Sequence, residues 1–186
     1  MALDLPGAVR EAIAAWRDAL FDEQQQLRRV DPEQLHVTLV FLGWQEKEAG
    51  EEIAARTFDV AAGLSAPVLR PAGLKAVPPR SPRLFALDLE DEGGRASDLH
   101  ARVSSSLEAL GAYRPEKRPF WPHITLARVR RGTQFTLSTE EVSNVNDVAP
   151  RGPFEASTLT LYRSTLRPQG ALYEPLARIT LGGGAL

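Results

Sequence analysis

The chain has 186 residues with three histidines and no cysteine; 43% of its residues are hydrophobic and 25% are charged. This composition is that of an ordinary globular protein, and the lack of cysteine excludes disulfides and cysteine-based metal sites. The formal net charge of −2 argues against a protein that coats nucleic acid through bulk electrostatics. Since no apolar run approaches ~20 residues and the N-terminus lacks a signal-peptide pattern, we expect a cytoplasmic protein without a membrane partner.

The positive charge is concentrated in one segment. Between Tyr113 and Arg131 there is a single acidic residue, Glu116, among six basic ones: Arg114, Lys117, Arg118, Arg128, Arg130 and Arg131. Such a patch on a nearly neutral protein suits a small anionic target, and a solvated loop with a charged strand end explains it equally well. Charge alone leaves both interpretations open.

Hydrophobic periodicity and Gly/Pro punctuation predict alternating helices and strands. The predicted helices are Pro6–Leu20, Glu46–Ala62, Ala96–Leu110 and a short one at Glu140–Asn146. The predicted strands are Gln34–Gly43, Val68–Val77 (broken by Pro71 and Gly73), Arg83–Leu89, Trp121–Val129, Glu155–Ser164 and Ala171–Leu181, the last two joined by a turn around Pro168–Gly170.

The order of elements repeats. The tetrapeptide Ala-Leu-Asp-Leu occurs at residues 2–5 and 86–89, an offset of 84, and similar histidine-bearing strands follow at an offset of 87. Near-constant offsets predict one domain, residues 1–186, made of two duplicated lobes. Arg83–Phe85 precede the second tetrapeptide, but only Met1 precedes the first, so we expect that the first strand is truncated.

Two short motifs carry the chemistry: His36-Val37-Thr38 and His123-Ile124-Thr125. Residues i and i+2 of a strand point to the same face, so each motif places an imidazole beside a hydroxyl. Opening a cyclic phosphodiester needs a base that activates water and an acid that protonates the departing alkoxide, and histidine can do either near neutral pH. The threonine hydroxyls can donate to the non-bridging oxygens, so no cofactor or metal is needed.

The sequence resembles the 2H phosphoesterases, which are named for paired His-x-Thr/Ser motifs. Within them it is most similar to the bacterial and archaeal RNA 2′,3′-cyclic phosphodiesterases, historically called 2′-5′ RNA ligases. The resemblance spans nearly the whole chain and is carried by residues 2–6, 35–43, 118–128 and 159–164. A single His-x-Thr has no value as a signal, whereas two in matching strand contexts are specific.

The resemblance implies that His36 and His123 are catalytic, that Thr38 and Thr125 bind the phosphate, and that a 2′,3′-cyclic phosphate end of RNA is hydrolysed to a 2′-phosphate. In that reading His36 protonates the leaving O3′ and His123 activates water, although pseudo-symmetry makes the two roles exchangeable. Weak 2′-5′ ligation would be the reverse reaction.

Element order and resemblance together predict an α+β fold: two pseudo-symmetric lobes, each an antiparallel sheet with helices outside, flanking a central active-site cleft. We expect a monomer that acts on RNA or oligonucleotide ends.

Arg128 is a further substrate-binding candidate, because the family often carries an arginine at this point. Strand alternation opposes it: a residue five positions after His123 faces the other side of a regular strand, and reaches the cleft only through a bulge or the strand's end. Trp121 shares the face of His123, and we favour core packing for it over stacking on a nucleobase.

Three alternatives stay open. A zinc site would need His36, His123 and a carboxylate, but no acid lies at helical or hairpin spacing from either. An enzyme of the same family could act on a small cyclic nucleotide such as ADP-ribose 1″,2″-cyclic phosphate. A non-catalytic RNA-binding module could use the same scaffold, although both motifs are intact.

Overall fold

A computed structural model describes residues 1–46, 48–167 and 170–182. The described strands are β1 (Ala2–Asp4), β2 (Leu27–Arg29), β3 (His36–Thr38), β4 (Val68–Val77), β5 (Leu84–Glu92), β6 (His123–Val129), β7 (Phe154–Glu155), β8 (Thr158–Arg167) and β9 (Gly170–Thr180). The described helices are α1 (Gly7–Phe21), α2 (Ala49–Ala61), α3 (Arg95–Ala109) and α4 (Thr139–Asp147), with a 3-10 turn at Pro32–Gln34.

The strands form one sheet in the order β7-β4-β5-β6-β3-β1-β8-β9, and every described pairing is antiparallel. The predicted α+β class and antiparallel sheets are confirmed. The two halves, however, are not separate sheets: β3 of the first pairs with β6 of the second through Val37 and Ile124. The central cleft therefore lies over a continuous sheet.

The core lies between one face of this sheet and the helices. Val37, Leu87 and Ile124 are fully buried on that face. The apolar stripe predicted for α3 is present, since Leu99, Val103 and Leu107 are buried, whereas Leu110 comes after the helix end and is half-buried. The opposite face carries the polar members of the two histidine motifs, as strand alternation requires.

The predicted strand Gln34–Gly43 is wrong in its extent, since β3 ends at Thr38. The amides of Leu39 and Val40 instead hydrogen-bond to the carbonyl of Met1, at 3.0 and 3.2 Å. This contact bends the chain away from the ladder and leaves Phe41 exposed. The apolar residues 39–42 thus belong to a loop in which Leu39 and Val40 are buried, and an apolar run in a single sequence does not distinguish such a loop from a strand.

Three further boundaries differ from prediction. The strand β2 was missed, because three residues are too few to show alternation. The predicted strand from Glu155 begins instead as the two-residue β7, which pairs with β4, and then continues as β8. The break expected at Pro71 and Gly73 is a register shift within an unbroken β4. The centre of the turn predicted around Pro168–Gly170 lies outside the described residues.

Candidate active site

The two His-x-Thr motifs lie side by side at the centre of the sheet. Because Val37 pairs with Ile124 in antiparallel register, His36 lies opposite Thr125 and Thr38 lies opposite His123. All four polar side chains are half-buried and share the face that does not form the core. The two histidines are diagonal neighbours across the strand pair, a relation that corresponds to about 7–8 Å. At this residue spacing both imidazoles can reach a single phosphate.

Each imidazole is held by the same backbone contact. Nδ1 of His36 donates to the carbonyl of Gln34 at 2.8 Å, and Nδ1 of His123 donates to the carbonyl of Trp121 at 2.8 Å. Since a carbonyl only accepts, each Nδ1 carries a hydrogen, and Nε2 is the nitrogen that gains or loses a proton. Nε2 of His36 lies 3.1 Å from the hydroxyl of Thr38. The backbone carbonyl two residues before each histidine thus fixes its tautomer.

Aromatic rings flank both imidazoles. The ring of Trp121 stacks on His123 with centroids 4.0 Å apart, and Tyr162 and Tyr173 lie 6.0 and 4.9 Å from His36. Trp121 is half-buried rather than part of the core, so the core packing predicted for it is wrong. The ring packs on the histidine because both point to the same side of one extended segment.

A carboxylate lies opposite each histidine on the outer neighbouring strand. Asp4 of β1 is in register with His36, and Asp88 of β5 is in register with His123. The indole Nε1 of Trp121 donates to Asp88 at 2.5 Å, which links the carboxylate to the ring stacked on His123. The Lys75 ammonium lies 2.5 Å from the other oxygen of Asp88.

The first half repeats this arrangement with different donors. The Tyr162 hydroxyl donates to Asp4 at 2.7 Å, the Thr160 hydroxyl donates to Asp4 at 2.8 Å, and the Arg178 guanidinium lies 3.9 Å away. Burial, helped by the bond to Asp4, raises the pKa of Tyr162 to about 12, so the phenol stays a neutral donor. Core packing is the default prediction for a strand tyrosine, but Tyr162 is half-buried and faces His36.

The sequence contained the signal for these carboxylates. Asp4 and Asp88 are the third residues of the two Ala-Leu-Asp-Leu segments, and their offset nearly equals that of the histidines. The repeat predicts duplication, but its two aspartates were not among the predicted site residues. A polar residue at the same place in two otherwise apolar strand segments would have pointed to the site.

The surroundings of each histidine include groups that lower its pKa and groups that raise it. Burial lowers the pKa of both His36 and His123 below the ordinary value of 6.5. The backbone carbonyl that each ring contacts and the carboxylates of Asp4 and Asp88 raise these pKa values in part. The guanidinium of Arg128 lowers the pKa of His123 further, which places this arginine within electrostatic reach of the ring.

We expect Asp88→Asn to lower the pKa of His123, because the substitution removes a negative charge that favours the imidazolium. The pKa of His36, in the other half, should change much less. Titration of the two imidazole signals by NMR measures both values. Asp98→Asn, on the exposed face of α3, is the matched control. An unchanged pKa of His123 in Asp88→Asn would contradict the electrostatic coupling.

Arg128 reaches the cavity side through a β-bulge. The residues Thr125 and Ala127 pair with consecutive positions of β5, so Leu126 between them is an extra residue. A bulge shifts strand alternation by one, and Leu126 and Ala127 are accordingly both fully buried. Arg128 lines a cavity of about 490 Å³ together with His36, Thr38 and Thr125. The objection from strand parity therefore does not apply.

The basic segment does not act as one surface. Arg114, Lys117 and Arg118 are exposed in the loop before β6, whereas Arg128 lines the cavity. The side chain of Arg130 donates to the carbonyl of Gln25 at 3.0 Å. Within the described parts of the chain, no group of three or more His, Cys, Asp or Glu side chains is placed to hold a metal ion. No helix there is long and apolar enough for a membrane span.

Comparison with known proteins identifies the family. The model of the 2′-5′ RNA ligase superfamily matches residues 5–167, and the chain belongs to this superfamily. The predicted family membership is thereby confirmed.

Individual relatives extend the match over nearly the whole length. The RNA 2′,3′-cyclic phosphodiesterase of Archaeoglobus fulgidus is 30% identical over 95% of this chain and 96% of its own. Among solved structures, a protein of Thermus thermophilus has a TM-score of 0.78 at 27% identity, covering 99% of this chain and 97% of its own. Escherichia coli LigT in complex with 3′-AMP has a TM-score of 0.74 at 27% identity, covering 97% and 95%.

Proposed function

We propose that the protein hydrolyses 2′,3′-cyclic phosphate ends of RNA to 2′-phosphate ends. The observation that carries the proposal is the pairing of β3 with β6, which sets two His/Thr pairs against each other on one face. The relatives named RNA 2′,3′-cyclic phosphodiesterase, similar to this chain over nearly all of its length, support the same activity.

In the proposed reaction the two histidines start in opposite protonation states. Neutral His123 accepts a proton from water at Nε2 while the water oxygen bonds to phosphorus. The bond from phosphorus to O3′ breaks, and the Nε2–H of His36 gives its proton to the departing O3′. The products are a 2′-phosphate and a 3′-hydroxyl, and proton exchange with solvent restores both histidines. Each positioned acid or base contributes typically ~10²–10⁴-fold in rate.

The hydroxyls of Thr38 and Thr125 are proposed to bind the non-bridging oxygens. Charge builds up on these oxygens in the transition state, and fixed donors stabilise it there without reorganisation. The two imidazoles supply both proton transfers, so the scheme requires no metal or cofactor. Microscopic reversibility also allows a weak 2′-5′ ligation, which is unfavourable in water.

The mirrored surroundings of His36 and His123 support the view that residues 1–186 form a single domain of two duplicated halves. Outward from β3 and β6, each half continues with a strand carrying an aspartate and then another antiparallel strand. The approximate symmetry leaves the acid and base assignment exchangeable. We expect the domain to act as a cytoplasmic monomer on RNA ends, with size-exclusion chromatography as the measurement of its oligomeric state.

The direct test uses an oligonucleotide with a 2′,3′-cyclic phosphate end and EDTA-treated protein. We expect a 2′-phosphate product, which chromatography separates from the 3′-phosphate isomer. A 3′-phosphate product would overturn the proposed leaving group. Faster turnover of ADP-ribose 1″,2″-cyclic phosphate would favour the small-nucleotide alternative, and binding of RNA without opening of any cyclic phosphate would favour the non-catalytic module.

The pH dependence follows from the lowered pKa values. The productive state needs one neutral and one protonated histidine, and its population is highest between the two pKa values. Since burial lowers both, we expect a bell-shaped profile of kcat/KM with its maximum below pH 6.5. A bound phosphate favours the imidazolium, so the profile of kcat should lie at higher pH. Initial rates between about pH 4 and 9 test this, and a profile without an acidic limb would contradict it.

A further inference from the structure

Two arginines face each other beside the candidate active site. Arg28 of β2 is in direct register with Arg128 of β6, so the two side chains leave the sheet on the same face. Both line the cavity that contains His36, Thr38 and Thr125. We call Arg28 and Arg128 the arginine pair.

The arginine pair is uncompensated by protein carboxylates. In the part of the chain that the structure describes, neither side chain forms a salt bridge or a side-chain hydrogen bond. The neighbouring Arg29, by contrast, contacts Asp18 at 3.1 Å and Asp22 at 2.9 Å. Like charges directly opposite on paired strands are destabilising. An arrangement that keeps two such cations together is explained if an anion binds between them.

One acidic residue and one further arginine also line the cavity. Asp31 is the acidic residue, and an oxygen of its carboxylate accepts a hydrogen bond from the amide of Glu33 at 2.9 Å. Arg29, the further arginine, is engaged by the two carboxylates described above. Among the described arginines that line the cavity, Arg28 and Arg128 are therefore the two without a carboxylate partner.

The arginine pair lies at one end of the two His-x-Thr motifs. Along β6, Arg128 follows Thr125 by three residues that include a bulge, and a rise of ~3.3 Å per residue gives roughly 7–10 Å. The chain order of β2 and β3 places Arg28 on the same side, beyond His36. An anion held by the arginine pair would therefore lie beside the phosphate held by the two motifs.

We propose that the arginine pair binds the phosphodiester that precedes the cyclic phosphate in a nucleotide chain. This inference rests on the proposed function and adds the residues by which an RNA end would be preferred over a nucleoside 2′,3′-cyclic phosphate. Arginine suits such a site, because its planar fork donates two hydrogen bonds to a phosphate.

The test compares three substrates: a nucleoside 2′,3′-cyclic phosphate, a dinucleotide ending in a 2′,3′-cyclic phosphate, and the same dinucleotide with an uncharged methylphosphonate linkage. We expect kcat/KM for the natural dinucleotide to exceed that for the other two by about tenfold or more, the usual scale of a charge-assisted hydrogen bond. Arg28→Gln should reduce this preference about tenfold, and Arg28→Lys should reduce it less.

The controls separate charge at this position from general effects. Arg102→Gln, which removes an exposed arginine paired with Asp98 on α3, should keep the preference of the unmodified protein. Arg128→Gln should reduce the preference as Arg28→Gln does, and circular dichroism checks the fold of each variant. With the methylphosphonate substrate, Arg28→Gln should leave kcat/KM unchanged, because the negative charge that Arg28 recognises is already absent.

The outcomes distinguish this inference from the proposed function. Equal kcat/KM for the nucleoside and dinucleotide substrates would overturn the subsite and leave cyclic phosphate hydrolysis intact. Turnover of none of the three substrates would overturn both. A diphosphate is the other source of a neighbouring anion. The protein could instead prefer ADP-ribose 1″,2″-cyclic phosphate over the dinucleotide, and Arg28→Gln could abolish that preference. In that case the arginine pair would bind a diphosphate, and the RNA assignment would be wrong.

Discussion

Replacement of either His36 or His123 by alanine should lower kcat for a 2′,3′-cyclic phosphate end by about 10²–10⁴-fold, because each variant loses one of the two proton transfers. Both rings are only half-buried, so the variants should remain folded. Steady-state kinetics measure the loss, and thermal melts confirm the fold. In pH profiles each variant should also lose one limb of the bell, and the limb that disappears identifies the acid and the base.

His100→Ala is the matched control. This third histidine lies on α3, outside both motifs, and stacks on Phe120 with ring centroids 4.5 Å apart. Its kcat should equal that of the unmodified protein. The double variant of His36 and His123 should be little slower than the slower single variant, since the two groups act as a unit. Full activity of either single variant would end the paired acid–base proposal.

The second large effect concerns the hydroxyls. Thr38→Val and Thr125→Val keep the shape and strand preference of threonine but remove the donor, and we expect each to lower kcat by about 10²–10³-fold. If the hydroxyls act in the transition state, kcat falls more than KM rises. Measurement of both constants for each variant distinguishes this from a loss of ground-state binding.

Thr133→Val serves as the control for this substitution. Thr133 is exposed in the turn after β6, where its hydroxyl donates to the carbonyl of Arg130 at 2.9 Å. Its removal should leave kcat unchanged. A loss below threefold in both Thr38→Val and Thr125→Val would contradict phosphate binding by the motif hydroxyls.

Local patterns in the sequence were sufficient to find the two His-x-Thr motifs of the site. The two His-x-Thr motifs lie on strands, and strand alternation predicts that each imidazole shares a face with its hydroxyl, as the structure shows. The helices α1 and α3 were also predicted to within about two residues, because their apolar stripes recur with a helical period.

Long-range pairing was not predictable in the same way. The register that sets Val37 against Ile124 joins segments 87 residues apart, and no local pattern encodes it. No glycine or proline in β6 marks the bulge at Leu126. For this reason strand alternation alone could not decide on which face of the sheet the side chain of Arg128 lies. Arg28 was overlooked because β2 is too short to be recognised as a strand.

The pairing of β3 with β6 has a consequence for cleavage of the chain. A cut in the proline-containing loop between β4 and β5 would leave His36 in one fragment and His123 in the other. Each fragment would also expose an unpaired edge where the other half normally lies. Neither fragment would contain both the acid and the base, so turnover would reappear only when the complementary fragments associate. The enzyme could then serve as a split reporter whose signal depends on correct reassembly.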